Sequence, residues 1–268
     1  MICQRCQQFA ASMAGGLCSV CAETPALAPV PVGTVPPPHG NAWLASPVGL
    51  GRAVAVLLGV VVAVDLFAIW AGVKMYDVTG TLADGGIGDT VRRDADHADS
   101  LFAAAGVAQL VALVATMAVY LVWFHRVRIN AEVFDPFGHE MGRAWVGWGW
   151  FVPVVNFWFP RRIMLNTWDA SRPAGTRTSH GLVNAWWAMW IITSAADQTA
   201  SAAHRAAHTA LELQHAAGQR IFSDVTDIVA AVLAALVVLR LNRIQNEKVL
   251  RGPVPPGAPV PAAVRDHR

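Results

Sequence analysis

Apolar residues gather in four long blocks, at about 53–73, 101–124, 182–203 and 225–241, and charged residues concentrate in the segments between them. Each block has the length that crosses a hydrocarbon core of about 30 Å as a helix. The pattern therefore predicts an all-α integral membrane protein with four transmembrane helices. A fifth apolar stretch, WVGWGWFVPVVNFWFP at 145–160, fits less simply. Its 16 residues reach about 24 Å as a helix, and Pro153, Asn156 and Pro160 interrupt it. A re-entrant or interfacial element is expected there, with a full fifth crossing as the alternative. Irregular backbone at membrane depth is tolerated only where it is buried against protein. Pro153 removes a backbone donor, and the Asn156 side chain is expected to satisfy a freed backbone group.

The ends of the chain read differently. Residues 1–23 form a small cysteine-containing segment, 24–48 a proline-rich linker, 49–250 the membrane domain and 252–268 a disordered tail rich in proline. The start, Met1-Ile-Cys-Gln-Arg, leads into polar residues rather than the apolar core of a signal peptide, so the first span is expected to act as the targeting signal.

Composition supports the membrane reading. Hydrophobic residues make up 54% of the chain and charged ones 14%, against about a quarter charged in soluble domains. The net charge of +2 says little; its distribution says more. Arg126, Arg128, Arg143, Arg161, Arg162, Arg172 and Arg177 crowd the central 125–181 segment, and Arg240, Arg243, Lys248 and Arg251 follow the last block. The 74–100 segment instead sets Lys74, Arg92 and Arg93 among six aspartates. Because basic residues mark the cytoplasmic side, the central segment and both termini are expected inside a cell membrane.

The most specific chemical signal is Cys3-x2-Cys6-x11-Cys18-x2-Cys21. Two such knuckles place four thiolates tetrahedrally around one structural zinc per chain, which leaves no open position for catalysis. Two disulfides, free thiols, or iron or redox use are the alternatives, and a reducing cytoplasm disfavours disulfides. The knuckle would then serve to recruit a cytoplasmic protein partner.

Polar residues within the apolar blocks form a second candidate site. Asp65 lies inside VVAVDLFAIW, and an intramembrane carboxylate costs several kcal/mol unless it is paired, hydrated or protonated. Counting about 1.5 Å per residue, Asp65, Gln109, Asp197 and Asp227 come out at one depth of about 20–24 Å. They are expected either to form a polar layer that binds protons or cations, or to be a hydrogen-bonded packing contact at Asp65 with Asp197 and Asp227 at the interface. His204, His208, Glu212 and His215 share one helical arc that would suit an external metal. The Arg92–Asp99 run reads as a solvated loop.

Eight of the eleven tryptophans lie between Trp145 and Trp190. Indoles favour the headgroup region, which accounts for Trp145, Trp148, Trp150 and Trp158; a groove for a lipid ligand beside Arg161 and Arg162 is the alternative.

Phe124-His-Arg-Val-Arg-Ile-Asn130, Phe134-Asp-Pro-Phe-Gly138, Trp145-Val-Gly-Trp-Gly-Trp-Phe-Val-Pro153 and Val155-Asn-Phe-Trp-Phe-Pro160 together resemble the bacterial multi-pass membrane family known as domain of unknown function 4328. Trp186-Trp187 and Arg240-Leu-Asn-Arg-Ile-Gln245 fit the same resemblance, which covers about 101–250. It implies a multi-pass membrane fold, often with a zinc-ribbon-like start, and it brings no activity or catalytic residues. The chain carries no phosphate-cradling glycine loop, nucleophile elbow or HExxH pair, and no nucleic-acid role is expected. The sequence is thus read as a non-enzymatic scaffold or regulator, with a small proton- or cation-linked transporter or channel-like protein as the alternative.

Overall fold

The computed structural model describes residues 44–172 and 179–251. The cysteine quartet, the linker and the C-terminal tail lie outside these residues. Six α-helices carry the described chain: α1 Val48–Ala83, α2 Asp89–Phe134, the single-turn α3 Trp145–Trp148, α4 Phe159–Ser171, α5 Gly181–Ala206 and α6 Ala210–Arg251. A 3-10 turn at Val155–Phe157 precedes α4, and there is no strand among the described residues.

α1, α2 and α6 are long and apolar enough to cross a membrane. α5 has 26 residues, enough for a crossing of about 39 Å, but Asn184, Thr193, Ser194, Asp197 and Gln198 dilute its apolar run. The helices extend well past the apolar blocks, because hydropathy marks contact with lipid and not the ends of a helix. Arg92–Asp99, expected as a loop, is helical from Asp89 onward. No glycine or proline interrupts this stretch, and the Arg93 guanidinium donates back to the Asp89 carbonyl at 3.2 Å.

The turns are built from local chemistry. α1 ends at Asp84, whose N–H donates to the Gly80 carbonyl at 3.0 Å, and Gly85 takes a left-handed φ of 84°, the conformation that glycine permits at a helix end. α6 starts with a capping box. The Glu212 N–H donates to the Thr209 hydroxyl at 3.2 Å, while the Glu212 carboxylate accepts from the Thr209 N–H at 3.0 Å.

α1 packs along both α2 and α6, and α6 packs along α5, but α2 and α5 share no such face. The four long helices therefore stand in an open arc, α2–α1–α6–α5. The arc's main core lies at the arginine-rich end, where Trp123, Phe124 and Val127 of α2 meet Ile163 and Met164 of α4 and Val237 and Leu241 of α6. Gly51 of α1 admits the Asn242 side chain, which a methyl group there would overlap. Asn242 in turn accepts from the Trp123 indole at 2.9 Å.

Polar side chains tie the same end together. The Asn130 side chain pairs with both backbone groups of Ala45, at 3.0 and 2.9 Å. Gln245 donates to the Val127 carbonyl and the Ser171 hydroxyl, and Lys248 donates to the Ala170 and Arg172 carbonyls that end α4. Glu132, 4% exposed, accepts from Arg128 at 2.6 Å and from Arg143 at 2.7 Å. Arg128, Asn130, Asn242 and Gln245 of the 124–130 and 240–245 motifs thus serve as interior ties, while His125, Arg126, Arg240 and Arg243 are exposed.

The 145–160 segment is neither straight nor continuous. Its ends meet, with the Trp145 and Phe159 rings 4.9 Å apart, so it returns to the end from which it leaves. The groups freed near Pro153 are met by turn bonds from Val155 and Asn156 N–H to the Pro153 and Val152 carbonyls. The expected role for the Asn156 side chain is corrected, since its oxygen is buried without a partner. Pro160 opens α4 in its first turn, where its missing donor does no harm. Val154 holds a left-handed φ of 69°, strained for a β-branched residue.

Candidate functional site: an acidic cavity within the helix arc

The gap inside the arc is a cavity of about 640 Å³, and all four residues of the expected polar layer, Asp65, Gln109, Asp197 and Asp227, line it. Two further residues complete the cluster, Arg220 and Asp224, both on α6. The Gln109 amide nitrogen donates to Asp65 and to Asp224, each at 2.9 Å. Arg220 donates to the Gln109 carbonyl at 2.7 Å and to Asp197 at 2.6 Å, and lies 3.2 Å from the Asp224 carboxylate. One connected network therefore joins α1, α2, α5 and α6. Asp227 lines the same space one turn beyond Asp224, with no side-chain bond to it.

Burial makes this cluster chemically unusual. Asp65 and Asp224 are 1% and 2% exposed, and the second carboxylate oxygen of each has no hydrogen-bond partner. Buried carboxylates normally have their lone pairs satisfied. Arg220 bonds to two of the four aspartates and supplies one positive charge among them. The network thus holds more carboxyl acceptors than its own donors satisfy.

Toward the arginine-rich end the lining becomes aliphatic and aromatic. The Trp150 ring meets Tyr120 edge-on at 5.6 Å and Trp190 at 5.7 Å, and Trp187 stacks on Trp190 at 4.6 Å. Trp150 is thus an inward wall residue, which corrects its assignment to the headgroup region. Trp148 and Trp158 face outward, 66% and 53% exposed. Three further buried polar groups, the Thr116 and Tyr120 hydroxyls and the Trp150 N–H, line the cavity without partners. Arg161 and Arg162, considered beside a lipid groove, bond to Asn184 and Glu140.

The histidine arc does not form. His204 lies on α5, while Glu212 and His215 lie on α6 beyond a break at 207–209. Glu212 is used by the cap, and no group of metal-binding geometry occurs among the described residues.

Residues 89–243, more than half of the chain, match a family model described as a domain of unknown function, DUF4328. The chain belongs to the DUF4328 family. The match begins at Asp89, where α2 begins, so α1 and Asp65 lie outside it while Gln109, Asp197, Arg220, Asp224 and Asp227 lie within. No curated protein and no solved structure shows a significant similarity to the chain. The DUF4328 segment thus supplies three of the four walls of the cavity.

Proposed function

We propose that this DUF4328 protein is a multi-pass membrane protein whose aspartate–glutamine–arginine cluster binds and passes a proton or a monovalent cation, as in a small proton- or cation-linked transporter. The observation that carries this reading is the pair of buried carboxylates, Asp65 and Asp224, that share one Gln109 amide and each keep an unpartnered oxygen. A bound proton or cation would fill the acceptors that the network leaves open. The reading takes α5 as a fourth crossing and 145–160 as re-entrant, with both termini cytoplasmic, which the arginine distribution supports. Purified protein should unfold at a temperature that moves with pH or with sodium or methylammonium concentration. That dependence should shrink in the Asp65→Asn/Asp224→Asn double variant; an identical dependence in both proteins would contradict the proposal.

A second reading concerns the N-terminus and rests on the cysteine spacing alone. Cys3, Cys6, Cys18 and Cys21 would hold one structural zinc and present a knuckle to a cytoplasmic protein partner, a scaffold role compatible with the first. Metal analysis should find about one zinc per chain, lost when Cys3 and Cys6 are both replaced by serine. Disulfides with no bound metal in protein from a reducing cytoplasm would exclude it.

A further inference from the structure

We infer that the cavity takes a lipophilic monovalent cation, which enters sideways from the bilayer between α2 and α5. This deepens the reading of the cluster as a cation site and rests on it.

Charge selects the sign of the ligand. Four aspartates line the cavity, and Arg220 is bonded into their midst. An anionic or phosphate-bearing ligand would meet like charge. Asp197 and Asp227 offer carboxylate oxygens at the cavity surface, and the unpartnered oxygens of Asp65 and Asp224, on side chains 1% and 2% exposed, lie just behind it as acceptors that a cationic head reaches when those carboxylates turn inward.

Shape and lining select its body. From Gln109 to Tyr120 along α2 the cavity runs about 16 Å, at 1.5 Å per residue. Over that distance its walls pass from carboxylates through Leu58, Val61 and Ala231 to Tyr120, Trp150 and Trp190. Such a space suits an organic cation with an apolar or aromatic body better than a hydrated inorganic ion, and aromatic faces add their own attraction for cations. A divalent metal needs several oxygen ligands in close geometry, and no such group occurs among the described residues.

The route follows from packing. α2 and α5 lack a shared face and approach at Phe102 and His204, whose rings are 5.6 Å apart. Leu110 and Leu113 both line the cavity and are more than 60% exposed, so the mouth opens through apolar residues at mid-helix. An amphiphile partitioned into lipid would meet it there.

Equilibrium dialysis of the full chain in phosphatidylcholine nanodiscs tests this, with empty discs subtracted. The probes are tetraphenylphosphonium and tetraphenylborate, which share size and shape but carry opposite charge. The phosphonium should bind at about one per chain and at least tenfold tighter than the borate. Asp65→Asn and Asp224→Asn should each weaken it about tenfold or more while leaving the unfolding temperature near wild type. If either variant fails to fold, the comparison of the two probes on wild-type protein decides alone. Equal binding of both probes, or none, overturns the proposal. If sodium, methylammonium or pH still shifts unfolding through Asp65 and Asp224 while the phosphonium does not bind, only the ligand class fails. Loss of both responses removes the cation site as well.

Discussion

Arg220 donates to the side-chain carbonyl of Gln109 at 2.7 Å, and this one bond sets the orientation of the whole cluster. With its oxygen held by the guanidinium, the Gln109 amide must present its NH2 to Asp65 and Asp224. A neutral residue thereby joins two carboxylates on different helices. Gln109→Leu should lower stability by about 1–3 kcal/mol, the usual effect of leaving buried polar groups unsatisfied. Thermal unfolding in detergent would show it. An unchanged midpoint would mean that the network contributes nothing to the fold.

The contact between Gly51 and Asn242 makes a second prediction. Gly51→Ala places a methyl group on the Asn242 amide, and such overpacking typically costs about 1–3 kcal/mol. Asn242→Ala removes the obstacle but leaves the Trp123 indole N–H without its acceptor. The two substitutions should combine with less loss than the sum of the singles. Strict additivity in unfolding measurements would contradict the packing described.

His139 provides a pH prediction away from the cavity. It is 8% exposed, and neither ring nitrogen makes a hydrogen bond of good geometry, the Ala131 carbonyl being the nearest acceptor. Burial, reinforced by the Arg128 guanidinium and opposed by the Ala131 carbonyl, Glu132 and Asp135, holds its imidazole below the ordinary histidine value. The unfolded chain therefore takes up a proton first as pH falls through about 6.5, so this contribution to stability is lost below that pH. Wild type should lose more stability between pH 7.5 and 5.5 than His139→Gln. Parallel losses in the two proteins would show that His139 stays hydratable in the fold.

Much of this was legible in the sequence, and the gaps have physical causes. Asp65 and Gln109 stand out because they interrupt apolar blocks, and Asp197 and Asp227, which line the same cavity, fall at the same depth. Arg220 and Asp224 were missed because they precede the last block, where charge is ordinary. Their i, i+4 spacing with Asp227 close behind was the available signal. Arg128 and Glu132 read as flanking charges that report sidedness; only the packing of α2 shows them turned inward. Trp150 was placed at the interface because indoles prefer it, and the return of the 145–160 segment turns that one ring into the cavity.

Topology can be tested by impermeant thiol reagents in a background lacking native cysteines. Single cysteines at Ile87 and Leu211, in or near the two turns remote from the arginine-rich end, should react from outside the cell. A cysteine at Phe137, 67% exposed, should be protected until the membrane is opened. The reverse pattern would invert the orientation inferred from the arginines.

Proton flux in liposomes tests the central claim most directly. Reconstituted wild-type protein should dissipate an imposed pH gradient faster than empty liposomes, and Asp65→Asn should abolish the difference. That variant keeps the side-chain size and one carbonyl oxygen to accept from the Gln109 amide, so its stability in detergent should remain close to wild type. Flux by Asp65→Asn equal to wild type, or no flux by wild type above empty liposomes, would contradict the assignment of the cluster to ion movement.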